Sequence, residues 1–164
     1  MSEIAALAKR IQALEDIEAI KRLKYKYWRC LDLKLWDELA ECFAPDAKVG
    51  YGEGQYSFNG VEAIMGFLRQ SLGKERGSIT LHHGHHPEVT LTSDTTAKAT
   101  WALDNYMFNL GQDRGIRIGA YYHDECAKLG GAWKFTSIGY RYIFHEEWKR
   151  SDVPSLKLIA LAEF

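Results

Sequence analysis

Ser78-Ile79-Thr80-Leu81-His82-His83-Gly84-His85-His86-Pro87-Glu88-Val89-Thr90-Leu91-Thr92 is where the chain changes character. Before it, apolar residues recur at helical steps of three and four. After it come long runs rich in aromatic and β-branched residues, parted by short turns. Helices followed by a meander of strands predict an α+β domain, with helices covering one face of an antiparallel sheet. The same run holds four of the molecule's six histidines, His82, His83, His85 and His86. Histidine is the side chain that exchanges protons near neutral pH. Read as a strand, the run puts His83 and His85 on one face with Ile79 and Leu81, and His82 and His86 on the other. Gly84 and Pro87 suit a bulge or a strand edge, which can re-aim a side chain.

Upstream, Ile4, Leu7, Ile11, Leu14, Ile17, Ile20 and Leu23 predict an amphipathic helix to about Leu31. A shorter helix is predicted from Leu33 to Cys42. Phe43-Ala44-Pro45-Asp46 ends it, since proline lacks an amide donor and disfavours helix before it. Short strands near Lys48–Tyr51 and Tyr56–Phe58 flank the turn Gly52-Glu53-Gly54. A third helix runs from Val61 to Leu72, followed by a polar loop from Gly73 to Gly77. Downstream, strands are predicted over Ile79–Thr92, Ala97–Asn109, Gly115–Lys128 and Trp133–Glu146, separated by short turns. The apolar tail through Leu156, Leu158, Ile159, Leu161 and Phe164 is expected to pack, within residues 150–164, on the domain or a neighbouring subunit.

A chain of 164 residues is most simply one domain, 1–164, with a core large enough to need no disulfide or metal. A formal charge of −1 with interspersed signs argues against a nucleic-acid face. No run approaches the roughly 18 apolar residues of a membrane span. The N-terminal stretch is charged, without an apolar signal-peptide core. Cys30, Cys42 and Cys126 are odd in number and form no CxxC, so a cytoplasmic setting is expected. The 13% aromatic content suits a ring-lined pocket, although cores and interfaces also collect rings.

Several residues could carry chemistry. Asp32 reads either as the N-cap of the second helix or as a partner for a histidine. Tyr27 reads as core or as a site phenol. Five residues apart, the two diverge by about 140° on a regular helix, so to face one cavity they need the helix to loosen or end near Leu31. No third ligand is placed by spacing near the histidines, so no metal is expected. Asp104 belongs to a strand poor in charge and is a pocket residue only if Ala102, Tyr106 and Phe108 face inward. Tyr51, Tyr121, Tyr122, Tyr140 and Tyr142 could each offer a hydroxyl to a ligand. Arg141 could clamp an anion or stack on the surface.

Taken together, Asp16-Ile17-Glu18-Ala19-Ile20 leading to Tyr27 and Asp32, Trp36-Asp37-Glu38-Leu39, Phe43-Ala44-Pro45-Asp46, Leu81–Glu88, Gly119-Ala120-Tyr121-Tyr122 and Gly131-Ala132-Trp133-Lys134 resemble the NTF2-like (SnoaL-like) domains over about residues 14–147. Within that group the likeness is nearest to bile acid 7α-dehydratase, and more distant to scytalone dehydratase and hexachlorocyclohexane dehydrochlorinase. The resemblance implies a cone-shaped fold, with helices packed on a strongly curved antiparallel sheet around an apolar cavity. It implies catalytic roles for Tyr27, Asp32 and His82, and substrate-facing positions for Tyr51 and Asp104. Where the bile acid enzyme has a last-strand arginine, Tyr142 stands here, with Arg141 one step away. The implied activity is that of a hydro-lyase needing no cofactor. It would act on a small apolar ring substrate, steroid- or bile-acid-like, in a homo-oligomer, either dimer or trimer. The fold also hosts ketosteroid-type isomerases and non-catalytic binding proteins, which remain alternatives.

Overall fold

The computed structural model describes residues 2–73 and 77–161. Part of the loop expected between Gly73 and Gly77, and Phe164 of the tail, lie outside these residues. Helix α1 (Glu3–Leu33) begins at Ser2, whose hydroxyl accepts from the amide of Ala5, satisfying one of the free donors of the first turn. It runs without a break through Asp32. It ends at Lys34, which adopts the left-handed conformation (φ 60°) while its amide donates to the carbonyl of Cys30. Asp32 therefore caps nothing. Leu35 precedes α2 (Trp36–Ala40), with no side-chain cap, and the predicted helix to Cys42 is cut short.

The next strand starts early because its first residues have partners. The amide of Phe135 donates to the carbonyl of Cys42, and Phe43 pairs with Phe135. Strand β1 (Phe43–Tyr51) thus includes Pro45, at a register shift between Phe43 and Lys48 where a missing donor is tolerated. A turn leads to β2 (Tyr56–Asn59) and α3 (Val61–Leu72). Four long strands follow: β3 (Ser78–Leu91), β4 (Thr96–Asn109), β5 (Arg114–Leu129) and β6 (Ala132–Lys149).

The α+β expectation holds, with one correction. The six-stranded sheet has the order β2-β1-β6-β5-β4-β3, and its β1–β6 pair is parallel, so the sheet is mixed rather than antiparallel. The cause is the crossover. After β1 and β2 the chain passes through α3 to the far edge of the sheet, then meanders back to lay β6 beside β1. Bulges at His85–Glu88, Gly119–Ala120 and Glu125–Cys126 bend the long strands. The core lies between the inner sheet face and α1, α2 and α3, and includes Ile20, Trp28, Leu31, Leu39, Ile64, Leu68, Trp101, Ile116, Phe135 and Ile138.

Helix α1 departs from the apolar pattern as read. Along α1, Ile20 is buried and Leu23 half-buried, but Ile4, Leu7, Ile11 and Leu14 are exposed. Steps of three residues fall about 60° short of a full turn. From Leu14 through Ile17, Ile20 and Leu23, the apolar line therefore winds round the helix instead of keeping to one face. Beyond the 3-10 turn (Arg150–Asp152), the described residues of the tail, 153–161, join no strand and are exposed. Among the described residues, no helix is long and apolar enough to cross a membrane. The three cysteines are free and buried.

Candidate active site

Strand β3 builds the site by alternation. Thr80, His82 and Gly84 point inward, while Leu81, His83 and His85 point out. Only glycine fits this inward position, since a Cβ at residue 84 would lie 1.8 Å from Cη2 of Trp28. Its backbone is a floor for that indole, which meets Trp101 and Tyr122 edge-on. The bulge comes later than Gly84, between His85 and Glu88, where His86 has φ 50°. Past it the parity reverses, and Val89 and Leu91 turn toward the core.

Tertiary packing brings Asp32 and His82 together. Nδ1 of His82 lies 2.6 Å from Oδ1 of Asp32, and the His82 amide donates to Oδ2 at 2.9 Å. The hydroxyl of Thr80 donates to Oδ1 at 2.8 Å and in turn accepts from Nζ of Lys34 at 3.2 Å. Burial pushes the Asp32 carboxyl up, but the His82 ring and amide and the Thr80 hydroxyl outweigh it, leaving the pKa below the usual aspartate value. A carboxylate held as the anion accepts from Nδ1–H, which in the neutral imidazole fixes the tautomer and makes the other ring nitrogen the acceptor. Lys34, which sequence reading passed over, has its pKa lowered by burial to about 8, against a raising influence from Asp32.

His82 opens onto a cavity of about 300 Å³, at the lower end of the range for ligand pockets. Tyr27, Tyr51, Tyr122, Tyr140 and Tyr142 line it together with Leu31, Phe67, Leu68, Met107 and Ile116. The exposed lining residues Gln55, Tyr56 and His145 mark its mouth. The hydroxyls of Tyr27 and Tyr51 are 3.2 Å apart, and burial raises both phenols above their ordinary pKa, so they stay neutral. Tyr27 and Asp32 do not share the cavity wall, and α1 has not loosened. Tyr27 lines the cavity and Asp32 stands behind His82, which resolves the divergence of the two side chains.

Asp104 requires a correction. It lies on the opposite face of β4 from the cavity, paired with Arg117 at 3.2 Å. Inward positions on β4 are Ala97, Ala99, Trp101, Leu103 and Asn105. Lys98 and Thr100, on the outer parity with Asp104, were the available signal. Its inward neighbour Asn105 lies opposite His82 and is buried, and its side-chain oxygen has no hydrogen-bond partner among the described residues. That makes Asn105 a polar group left for a ligand to satisfy. On β6, Tyr142 faces the cavity and Arg141 faces solvent. No Asp or Glu is among the described residues lining the cavity, and no group of three or more His, Cys, Asp or Glu among the described residues is placed to hold a metal. Replacing Asp104 by alanine is expected to leave ligand affinity, and any turnover, within about threefold of wild type. Titration of a cavity ligand into both proteins measures this, and a tenfold loss would return Asp104 to the site.

A sequence model of the SnoaL-like domain matches residues 12–138. Among solved structures, a "Putative Scytalone Dehydratase" from Novosphingobium aromaticivorans superposes with a TM-score of 0.78 at 22% identity, covering 85% of this chain and 91% of that one. A hexachlorocyclohexane dehydrochlorinase from Novosphingobium barchaimii superposes at 0.75 with 19% identity, covering 85% and 94%. An NTF2-like protein with a cystatin-like fold from Novosphingobium aromaticivorans gives 0.71 at 20% identity, covering 87% and 92%. At these identities the likeness is one of fold.

Proposed function

The chain belongs to the SnoaL-like domain family, and from that premise we propose that it is a lyase that eliminates water from a hydroxylated ring compound, with His82 as general base. One observation carries the reading. The imidazole of His82 is held by Asp32 at 2.6 Å through one nitrogen, and its ring borders a tyrosine-lined cavity. In the proposed reaction, the free nitrogen of His82 takes a proton from carbon next to a carbonyl-conjugated system. The electron pair passes into an enolate, to which the Tyr27 hydroxyl can donate a hydrogen bond, while the side-chain oxygen of Asn105 can accept from a substrate hydroxyl. The enolate collapses with rupture of the ring C–O bond, and the imidazolium returns its proton to the leaving hydroxyl. One C–H and one C–O bond break, one C=C bond forms, and water departs. Asp32 stabilises the cation that His82 becomes. Positioned acid–base catalysis typically gives about 10²–10⁴-fold, and donors aimed at the developing oxyanion add a few kcal/mol each.

The substrate class that suits this wall is a cyclic hydroxy-ketone or enone, steroid- or bile-acid-like. Its reacting ring would enter the cavity and the remainder would emerge by Tyr56 and His145. The isomerase alternative needs a carboxylate base in the cavity. Asp32 is engaged behind His82, and Asp104 is on the other face of the sheet, so the lyase reading is preferred. The test is incubation with a 7α-hydroxy-3-oxo-4-ene steroid and smaller β-hydroxy cyclic enones. The expected result is a product lighter by one water, with longer-wavelength dienone absorbance for the steroid. A product of unchanged mass would support the isomerase, and tight binding with no chemistry across the panel would leave a binding protein.

A further inference from the structure

The first four turns of α1 carry their apolar residues on the wrong side for the domain they belong to. Ile4, Leu7, Ile11 and Leu14 are 80%, 47%, 56% and 67% exposed. At about 100° per residue they form one narrow stripe, roughly 160° around the helix axis from the direction shared by Asp16, Ile20, Lys24, Tyr27 and Leu31. Those five residues are buried against the body. Over the same turns, the side toward the body carries Lys9, Gln12 and Ala13. The stripe cannot close on its own domain without rolling α1 out of the core. The match to the SnoaL-like domain begins at residue 12, so three of the four stripe residues precede it.

We propose that this stripe is a pairing surface, and that its occupant is the same helix of a second copy, packed parallel as a short two-stranded coiled coil. The spacing 4-7-11-14 is that of a heptad seam, with isoleucine at both a positions and leucine at both d positions, the combination that selects parallel pairs. The flanking charges agree. Arg10 falls at g and Glu15 at the e position five residues on, so parallel pairing sets Arg10 of each helix beside Glu15 of the other, twice per dimer. Both residues are exposed. A lipid surface fits less well. The polar side mixes Glu3, Lys9, Arg10 and Glu15, and the stripe has no aromatic residue, whereas interfacial helices favour lysine and arginine on one side and rings on the other.

The experiment uses the full chain. Sedimentation velocity over increasing concentration should show reversible pairing, and Leu7→Glu with Ile11→Glu should raise the dissociation constant about 10⁴-fold, since both changes fall in both copies and each buried leucine or isoleucine is worth ~10-fold or more. Arg10→Glu should weaken pairing, and adding Glu15→Arg should restore it. In a parallel seam Leu7 meets its own copy, so Leu7→Cys alone should give a disulfide-linked dimer under mild oxidation. The native cysteines are buried and give little background. Sedimentation unchanged by the double glutamate variant would overturn the proposal. So would failure of Leu7→Cys to cross-link by itself while an equal mixture with Ile11→Cys does. Stripe-dependent binding to phosphatidylcholine–phosphatidylserine vesicles without self-association would reassign the surface to lipid.

Discussion

Replacing His82 with alanine is expected to lower kcat/KM for the hydroxy-enone substrate by roughly 10³-fold, within the usual range for loss of a positioned acid–base group. Asp32→Asn should cost about 10²-fold, because the amide can no longer hold the ring as the Nδ1–H tautomer and cannot stabilise the imidazolium. The two losses should not add. Both variants disable one dyad, so the double variant should be little slower than His82→Ala. A double variant slower by the full product of the two effects would show that Asp32 acts separately from His82. Stability gives a second reading. The folded-state pKa of Asp32 lies below its ordinary value, so its ionised form stabilises the fold above about pH 4, and that stabilisation is lost as pH falls through the folded value. Asp32→Asn should therefore flatten the acid limb of stability against pH, as followed by urea melts between pH 6 and 3.

The second large effect is on folding. Lys24→Met is expected to destabilise the protein by about 3–5 kcal/mol, the range for removing one partner of a buried ion pair. Lys24 on α1 and Asp124 on β5 are fully buried, 2.8 Å apart. The Lys24 ammonium lies 3.6 Å from the ring centre of Tyr122, with Tyr27, Trp28 and Phe135 around it. Burial alone would drive both groups toward neutrality, lowering the lysine pKa and raising that of the aspartate, and each charge opposes that for the other. Deleting the lysine leaves a carboxylate with no counter-charge beneath two cavity tyrosines. Lys24→Met with Asp124→Leu should recover most of the loss, because an apolar pair of similar volume replaces an expensively desolvated one. Urea midpoints for the three variants decide this. A double variant as unstable as the single would mean that the aromatic box needs the cation itself.

Much of this architecture was legible along the chain. The boundary of α3 and the four long strands follow from local periodicity, because side chains alternate in a strand and recur every three or four residues in a helix. Asp104 was misplaced although Lys98, Thr100, Ala97 and Ala99 marked the two faces of β4 by the same rule. The apolar stripe of α1 was legible as residues but not as direction. Which way a helix face points depends on what the rest of the chain packs against it. Pro45 and the parallel β1–β6 pair were hidden because pairing partners such as Val49 and Ile138, far apart along the chain, leave no local mark.

By itself the sequence determined the fold class, the order of elements, the histidine-rich strand and the supply of aromatic residues from which a cavity wall is made. Those properties live in neighbouring residues and in composition. Only tertiary structure decided that Asp32 turns from the helix it could have capped to the ring of His82, that Asn105 rather than Asp104 faces the cavity, and that Lys24 and Asp124 are sealed together beneath it. The first and the last join groups distant along the chain, and burial favours their meeting because an unpaired charge removed from water is strongly unfavourable.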